Sequence, residues 1–182
     1  MPAKSLSFTA LFFSLLAVTA APAPAPTLGD KVAAYCKKQL GEKVGGGECA
    51  HLAVEALKAV DAHHREKDSP NDGDYVWGNL VVVFDKSPKP AAAHGKLTDL
   101  RPGDIIQYRD TKWSGPNRAG KGTYTATAAH HTSVVQAVEN NGKMIKIYQQ
   151  NSSGKRFVTE GVLYIDDLKE GWIRVYRPTA TK

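Results

Sequence analysis

The chain has little with which to staple itself. Among 182 residues only Cys36 and Cys49 are cysteines, too few for the multi-bridge framework of a small secreted scaffold. The 24 Lys and Arg are scattered, with no basic run of five or more. That argues against a nucleic-acid partner, even at a formal charge of +6. No internal repeat occurs, so solenoids and propellers are excluded. After residue 20 no apolar stretch approaches the ~20 residues a membrane span needs. What remains is ordinary: 42% hydrophobic and 23% charged residues, in a length that buries a real core as one domain.

The first twenty residues, MPAKSLSFTALFFSLLAVTA, have the layout of a secretory leader. Lys4 supplies the cation, residues 6–18 the short apolar stretch, and Val18 and Ala20 the small residues at −3 and −1 of a cleavage point. The expectation is a leader at residues 1–20, an Ala/Pro spacer at 21–27 built on APAPAP, and one domain at 28–180. The mature protein is expected to be secreted and monomeric, with no stable membrane insertion after cleavage.

Residues 30–40 place Val32, Ala33, Cys36 and Leu40 at helical spacing, with Asp30 as N-cap and Gly41 as the stop. A second helix is expected from Glu48. Cys49, Leu52, Ala53, Ala56, Leu57 and Val60 form its apolar stripe. Residues 63–76 read as a loop. Strands are expected over 76–84, 105–108, 124–138, 143–149 and 172–176, with a further short one within 157–164. ENNG at residues 139–142 is a hairpin turn signal, and residues 114–122 read as a flexible loop. Helices first and antiparallel strands after them define an α+β domain.

The stretch VGGGECAHLAVEAL carries the chemistry. A thiol in the first helical turn meets the positive end of the macrodipole and unpaired N–H groups, which favour the thiolate. The glycines before it let a substrate come close. The competing reading is a small core residue, or one half of a Cys36–Cys49 bridge. A nucleophilic cysteine needs a base. Of six histidines, His130 and His131 open an apolar strand, AHHTSVVQAV, and only one of them faces the cysteine. Across the hairpin, KMIKIYQQN returns beside them, so that Gln149 or Asn151 can hydrogen-bond the imidazole and fix its tautomer. Cys49, His51 and the histidine pair match no standard zinc spacing, so neither metal nor cofactor is expected.

Together GGGECAHLAVEAL, LRPGDIIQYRD and HHTSVVQAVENNGKMIKIYQQN resemble CHAP-type amidases and peptidases of the papain-like cysteine peptidase superfamily, over roughly residues 30–178. The resemblance implies a papain-like fold, with N-terminal helices packed on an antiparallel sheet, and a Cys-His-Asn site. Cys49 takes the nucleophile position, His131 the base and Asn151 the asparagine. Gln149 stands where many members have glutamate, and a neutral amide cannot stabilise an imidazolium by charge. His130 and Trp77 are further candidates for orienting or contacting the substrate; Trp77, Trp113 and Tyr108 are groove candidates, with core packing the commoner fate of each. The implied substrate is a peptide or a peptidoglycan-like polymer. The alternative is an exported binding module of the same fold without turnover.

Overall fold

A computed structural model describes residues 24–64, 66–67 and 74–181. The leader expected at residues 1–20 lies outside these residues, as does the first part of the spacer.

Thr27 starts the first helix. Its Oγ1 accepts from the Asp30 N–H at 3.1 Å, and the Asp30 carboxylate accepts from the Thr27 N–H at 2.8 Å. This reciprocal box satisfies two otherwise orphaned donors. Helix α1 therefore runs Leu28–Lys38, and Asp30 is the third helical residue rather than the N-cap. The helix ends before Leu40, which instead bridges Val158 in parallel, while Gly41 sits at φ +83.

Helix α2 is Cys49–Ala59, with Glu48 as N-cap. Leu52, Ala53, Ala56 and Leu57 are fully buried with Val32 and Cys36 of α1, in one cluster with Ile105, Val134, Tyr148 and Tyr176 of the sheet. The sequence stripe is thus the buried face.

Two short strands, β1 (Glu66–Lys67) and β2 (Tyr75–Val76), pair antiparallel inside the segment read as a loop. The main sheet has six strands: β3 (Asn79–Asp85), β4 (Ile105–Pro116), β5 (Thr123–Glu139), β6 (Met144–Gln149), β7 (Thr159–Tyr164) and β8 (Leu168–Arg177). Their order is β3-β8-β4-β5-β6-β7, and every pairing is antiparallel. Neighbouring residues serve opposite faces. Ile105 and Val134 bury into the helical side, and Ile106 and Val135 into a second cluster with Ile145, Ile147, Ile173 and Val175.

Several boundaries differ from expectation; the strand expected over 172–176, for one, runs Leu168–Arg177. The strand expected over 76–84 is broken at Trp77 and Gly78. Gly78 has φ +134, and a Cβ there would lie 2.3 Å from the Arg177 carbonyl oxygen. β4 continues to Pro116, because its pairing with β5 persists to Pro116 opposite Thr123. The flexible loop shrinks to residues 117–122. The ENNG turn places Asn140, Asn141 and Gly142 at φ +52, +54 and +85, conformations that Asn and Gly tolerate. It sets Glu139 opposite Met144 and Ser133 opposite Gln149.

Candidate active site

The glycine loop that delivers Cys49 is clamped from the far end of β6. Gln150 is fully buried. Its Oε1 accepts from the Val44 N–H at 2.8 Å, and its Nε2 donates to the carbonyls of Val44 at 3.0 Å and Glu48 at 2.9 Å. Arg156 donates to the Gly46 carbonyl at 2.8 Å and pairs with the Glu48 carboxylate. The His51 Nδ1 accepts from the N–H groups of Gly46 at 2.9 Å and Glu48 at 3.4 Å. A Cβ at Gly46 would come 2.7 Å from the His51 ring. This glycine makes room for a capping imidazole.

Both cysteines are free, so the Cys36–Cys49 bridge is not formed. Cys36 is fully buried, and burial pushes its thiol up to about 12. Cys49 is partly buried. Burial raises its thiol above the ordinary value, and the Glu48 carboxylate adds to that. The N–H groups of Thr132 and Ala50 pull the other way. The thiol depressed by its helix terminus is therefore corrected: desolvation outweighs the local donors.

His131 sits on β5 opposite Tyr108 of β4, and its ring packs against the Tyr108 ring at 5.4 Å between centroids. Its Nε2 lies 3.0 Å from the Gln149 Oε1. An amide oxygen only accepts, so Nε2 carries the proton and Nδ1 the lone pair. Burial lowers the His131 pKa, and the bond to Gln149 raises it by a smaller amount. The imidazole is thereby neutral at pH 7.

The orienting contact thus comes from Gln149. Asn151, expected in that role, has φ +56, and its Nδ2 donates to the Glu48 carboxylate at 2.7 Å. The left-handed turn at Asn151 swings its side chain away from the imidazole and onto the loop before Cys49. His130 faces the other way from His131. Its Nε2 lies 2.8 Å from the Arg109 guanidinium, which also pairs with the buried Asp74 at 2.7 Å.

Trp77 does not line a groove. It is fully buried, and its Nε1 donates to the Gln107 Oε1 at 3.1 Å. Gln107 also accepts from the Thr132 hydroxyl at 3.2 Å. Tyr108 and Trp113 are largely buried but reach a cavity wall.

Two cavities meet at the histidine pair. One, of about 330 Å³, contains Cys49, His51, Tyr75, Gln107, Thr132, His130 and His131. The other, of about 490 Å³, lies beyond the histidines, between residues 124–128 of β5 and residues 151–153 and 162–163. Among the described residues no group of three or more His, Cys, Asp or Glu is placed to hold a metal ion.

Sequence reasoning missed Gln150, Gln107, Arg156 and Gly161. Gln150 lies within the QQN of residues 149–151, and strand alternation alone turns it away from Gln149 and under the glycine loop. Gly161 faces Ile147 across β7, and a Cβ there would lie 2.7 Å from the Gln149 Nε2. Gly161→Ala is expected to displace that amide from His131. Acylation of Cys49 should slow roughly tenfold, with the urea midpoint nearly unchanged. An unchanged acylation rate would show that Gln149 finds its place without this gap.

A family model described as the AIM3/BBC1 cysteine proteinase-fold domain matches residues 23–182. Altered inheritance of mitochondria protein 3 of Debaryomyces hansenii is 31% identical over 153 residues, covering 82% of this chain. The chain spans 16% of that protein's length. Two crystal structures of Ly7917, one with the hydrolyzing product of MDP, align at TM-scores of 0.48 and 0.49 with 18% identity. Each alignment covers 84% of this chain and 63% of the other. The chain belongs to the AIM3/BBC1 cysteine proteinase-fold domain family.

Proposed function

We propose that this domain is a secreted cysteine amidase or peptidase of CHAP type, acting on amide bonds in a peptide or peptidoglycan-like substrate. One observation carries the reading. His131, oriented through Nε2 by Gln149, and Cys49, at a helix N-terminus, line one cavity.

The resting pair is a thiol and a neutral imidazole, since burial disfavours both charged forms. The His131 Nδ1 takes the Sγ proton as sulfur adds to the carbonyl carbon. The oxyanion is met by the Cys49 N–H, with the Gln107 amide in the same cavity as the side-chain donor. His131 then gives its proton to the departing amine as the C–N bond breaks. Water, deprotonated by the same nitrogen, cleaves the thioester and restores the thiol. Gln149 keeps the second imidazole nitrogen protonated throughout, without contributing charge.

The test is a panel of peptides and peptidoglycan stem fragments, read by mass spectrometry for new amine and carboxyl ends. Cleavage present in the wild type and absent in Cys49→Ala is expected. Cleavage of nothing, with fragments still retained by the protein, would favour the binding module, a reading that the raised thiol also fits.

A further inference from the structure

β5 is seventeen residues long, but its two sides are unequally covered. β4 pairs with it from Val134 to Thr123. β6 covers only residues 133–139 on the other side. Beyond Gln149 the chain leaves the sheet, because Gln150 is drawn under the glycine loop and Asn151 turns left-handed. Residues 123–132 therefore present one strand edge with no partner strand among the described residues.

That edge faces the 490 Å³ cavity. Residues 124–128 all line it. Successive strand side chains point to opposite faces, so a cavity on one face would meet alternate residues. Consecutive lining places the cavity against the edge itself, where backbone N–H and C=O groups are reached. The side chains there are mostly Thr and Ala, short enough for another backbone to come alongside. Exposed edges are usually guarded by Lys, Pro or a bulge. Residues 123–132 contain neither Lys nor Pro and keep one register with β4.

The edge is also held in place. Arg118 pairs with Asp167 at 2.6 Å and stacks on Tyr164 at 3.6 Å, and the Tyr124 hydroxyl donates to Asp167 at 2.9 Å. This latch pins the hairpin end, so a ligand would have little ordering cost to meet.

The geometry points to residues 125–128 as a strand-addition site for an extended, uncharged peptide segment. The segment pairs its backbone with the free edge of β5 and runs toward His131. No Asp, Glu, Lys or Arg lines the cavity, so a charged side chain would find no ion partner there, and an uncharged one loses nothing. Six residues of strand separate Thr125 from His131, about 20 Å, a span for five or six ligand residues. The direction toward His131 rests on the hydrolase reading; the docking does not.

The experiment uses the Cys49→Ala protein, which binds without turnover, and a phage-displayed random hexapeptide library. Recovered sequences are synthesised with N-methyl groups on odd or on even amides. Recovered peptides poor in charge are expected. Methylation of one alternate set should weaken binding at least tenfold, and the other set should have little effect. Amide exchange at residues 125–128 should slow on binding. Recovery of no peptide, indifference to both methylation sets, or protection elsewhere would overturn the proposal. So would protection of residues 125–128 that tracks self-association in sedimentation. Acylation of wild-type Cys49 by p-nitrophenyl acetate, too small to need the edge, reads the hydrolase proposal separately.

Discussion

His131→Ala is expected to slow acylation of Cys49 by p-nitrophenyl acetate by about 10²–10⁴-fold at pH 7, the usual worth of a positioned general base. The size of the loss follows from the two buried groups. Cys49 is a thiol at neutral pH because burial raises it, and His131 is a free base because burial lowers it. Without a preformed thiolate, proton removal and attack belong to the same step, and no other imidazole is oriented for it. His130 is turned onto Arg109 and His51 is bound to the glycine loop.

The same shifts set the pH dependence. A base with a lowered pKa stays neutral, and active, until the pH falls below the ordinary imidazole value of ~6.5. The acid limb of the rate profile should therefore lie below ~6.5. Gln149→Ala removes the hydrogen bond that favours the charged ring and should move the limb lower still. Gln149→Glu should move it up. The stability contribution of His131 has the same sign: it is present above the unfolded-state value and lost as pH falls through the folded one. A limb that does not respond to either Gln149 variant would show that the 3.0 Å contact does not act on the base.

Gln150→Ala is expected to destabilise the fold by about 3 kcal/mol, because it strips a donor or acceptor from three buried or half-buried backbone groups at once. In a chain of this length that is roughly 6–12 °C in Tm. The loss should be local as well as global. The bonds removed hold Val44 and Glu48, and Glu48 is the N-cap of the helix that begins with Cys49. Amide exchange should rise first in residues 44–51. Gln150→Glu keeps the acceptor but loses the two donated bonds, and should fall between alanine and the wild type. A Tm within about 2 °C of wild type for Gln150→Ala would mean that Arg156, His51 and Asn151 hold the glycine loop without it.

Much of this architecture was legible because it is periodic. The stripe from Cys49 to Leu57 repeats at helical spacing, and ENNG supplies the residues that tolerate left-handed backbone. Each maps onto a buried face or a positive φ. The strand that carries His131 was readable too, since the apolar pattern after that residue marks a buried strand. What stayed hidden depends on contacts between distant residues. Nothing local tells which of Gln149, Gln150 and Asn151 meets the imidazole; the turn at Asn151 decides it. Core packing was the commoner expectation for Trp77, and it is buried, but its partner Gln107, thirty residues away, was not legible. The thiol shift was misjudged for a related reason: a helix terminus is visible in sequence, and the burial that outweighs it is not.

The central claim is that Cys49 and His131 form a working nucleophile and base, with Gln149 setting the tautomer. Intact-mass measurement of the protein during exposure to p-nitrophenyl acetate tests this most directly, with the adduct mapped by fragmentation. The account predicts a single transient acetyl group on Cys49 in the wild type, none on Cys36, and accumulation slowed at least a hundredfold in His131→Ala. An adduct that forms at the same rate without His131, or no adduct on Cys49 at all, would contradict it.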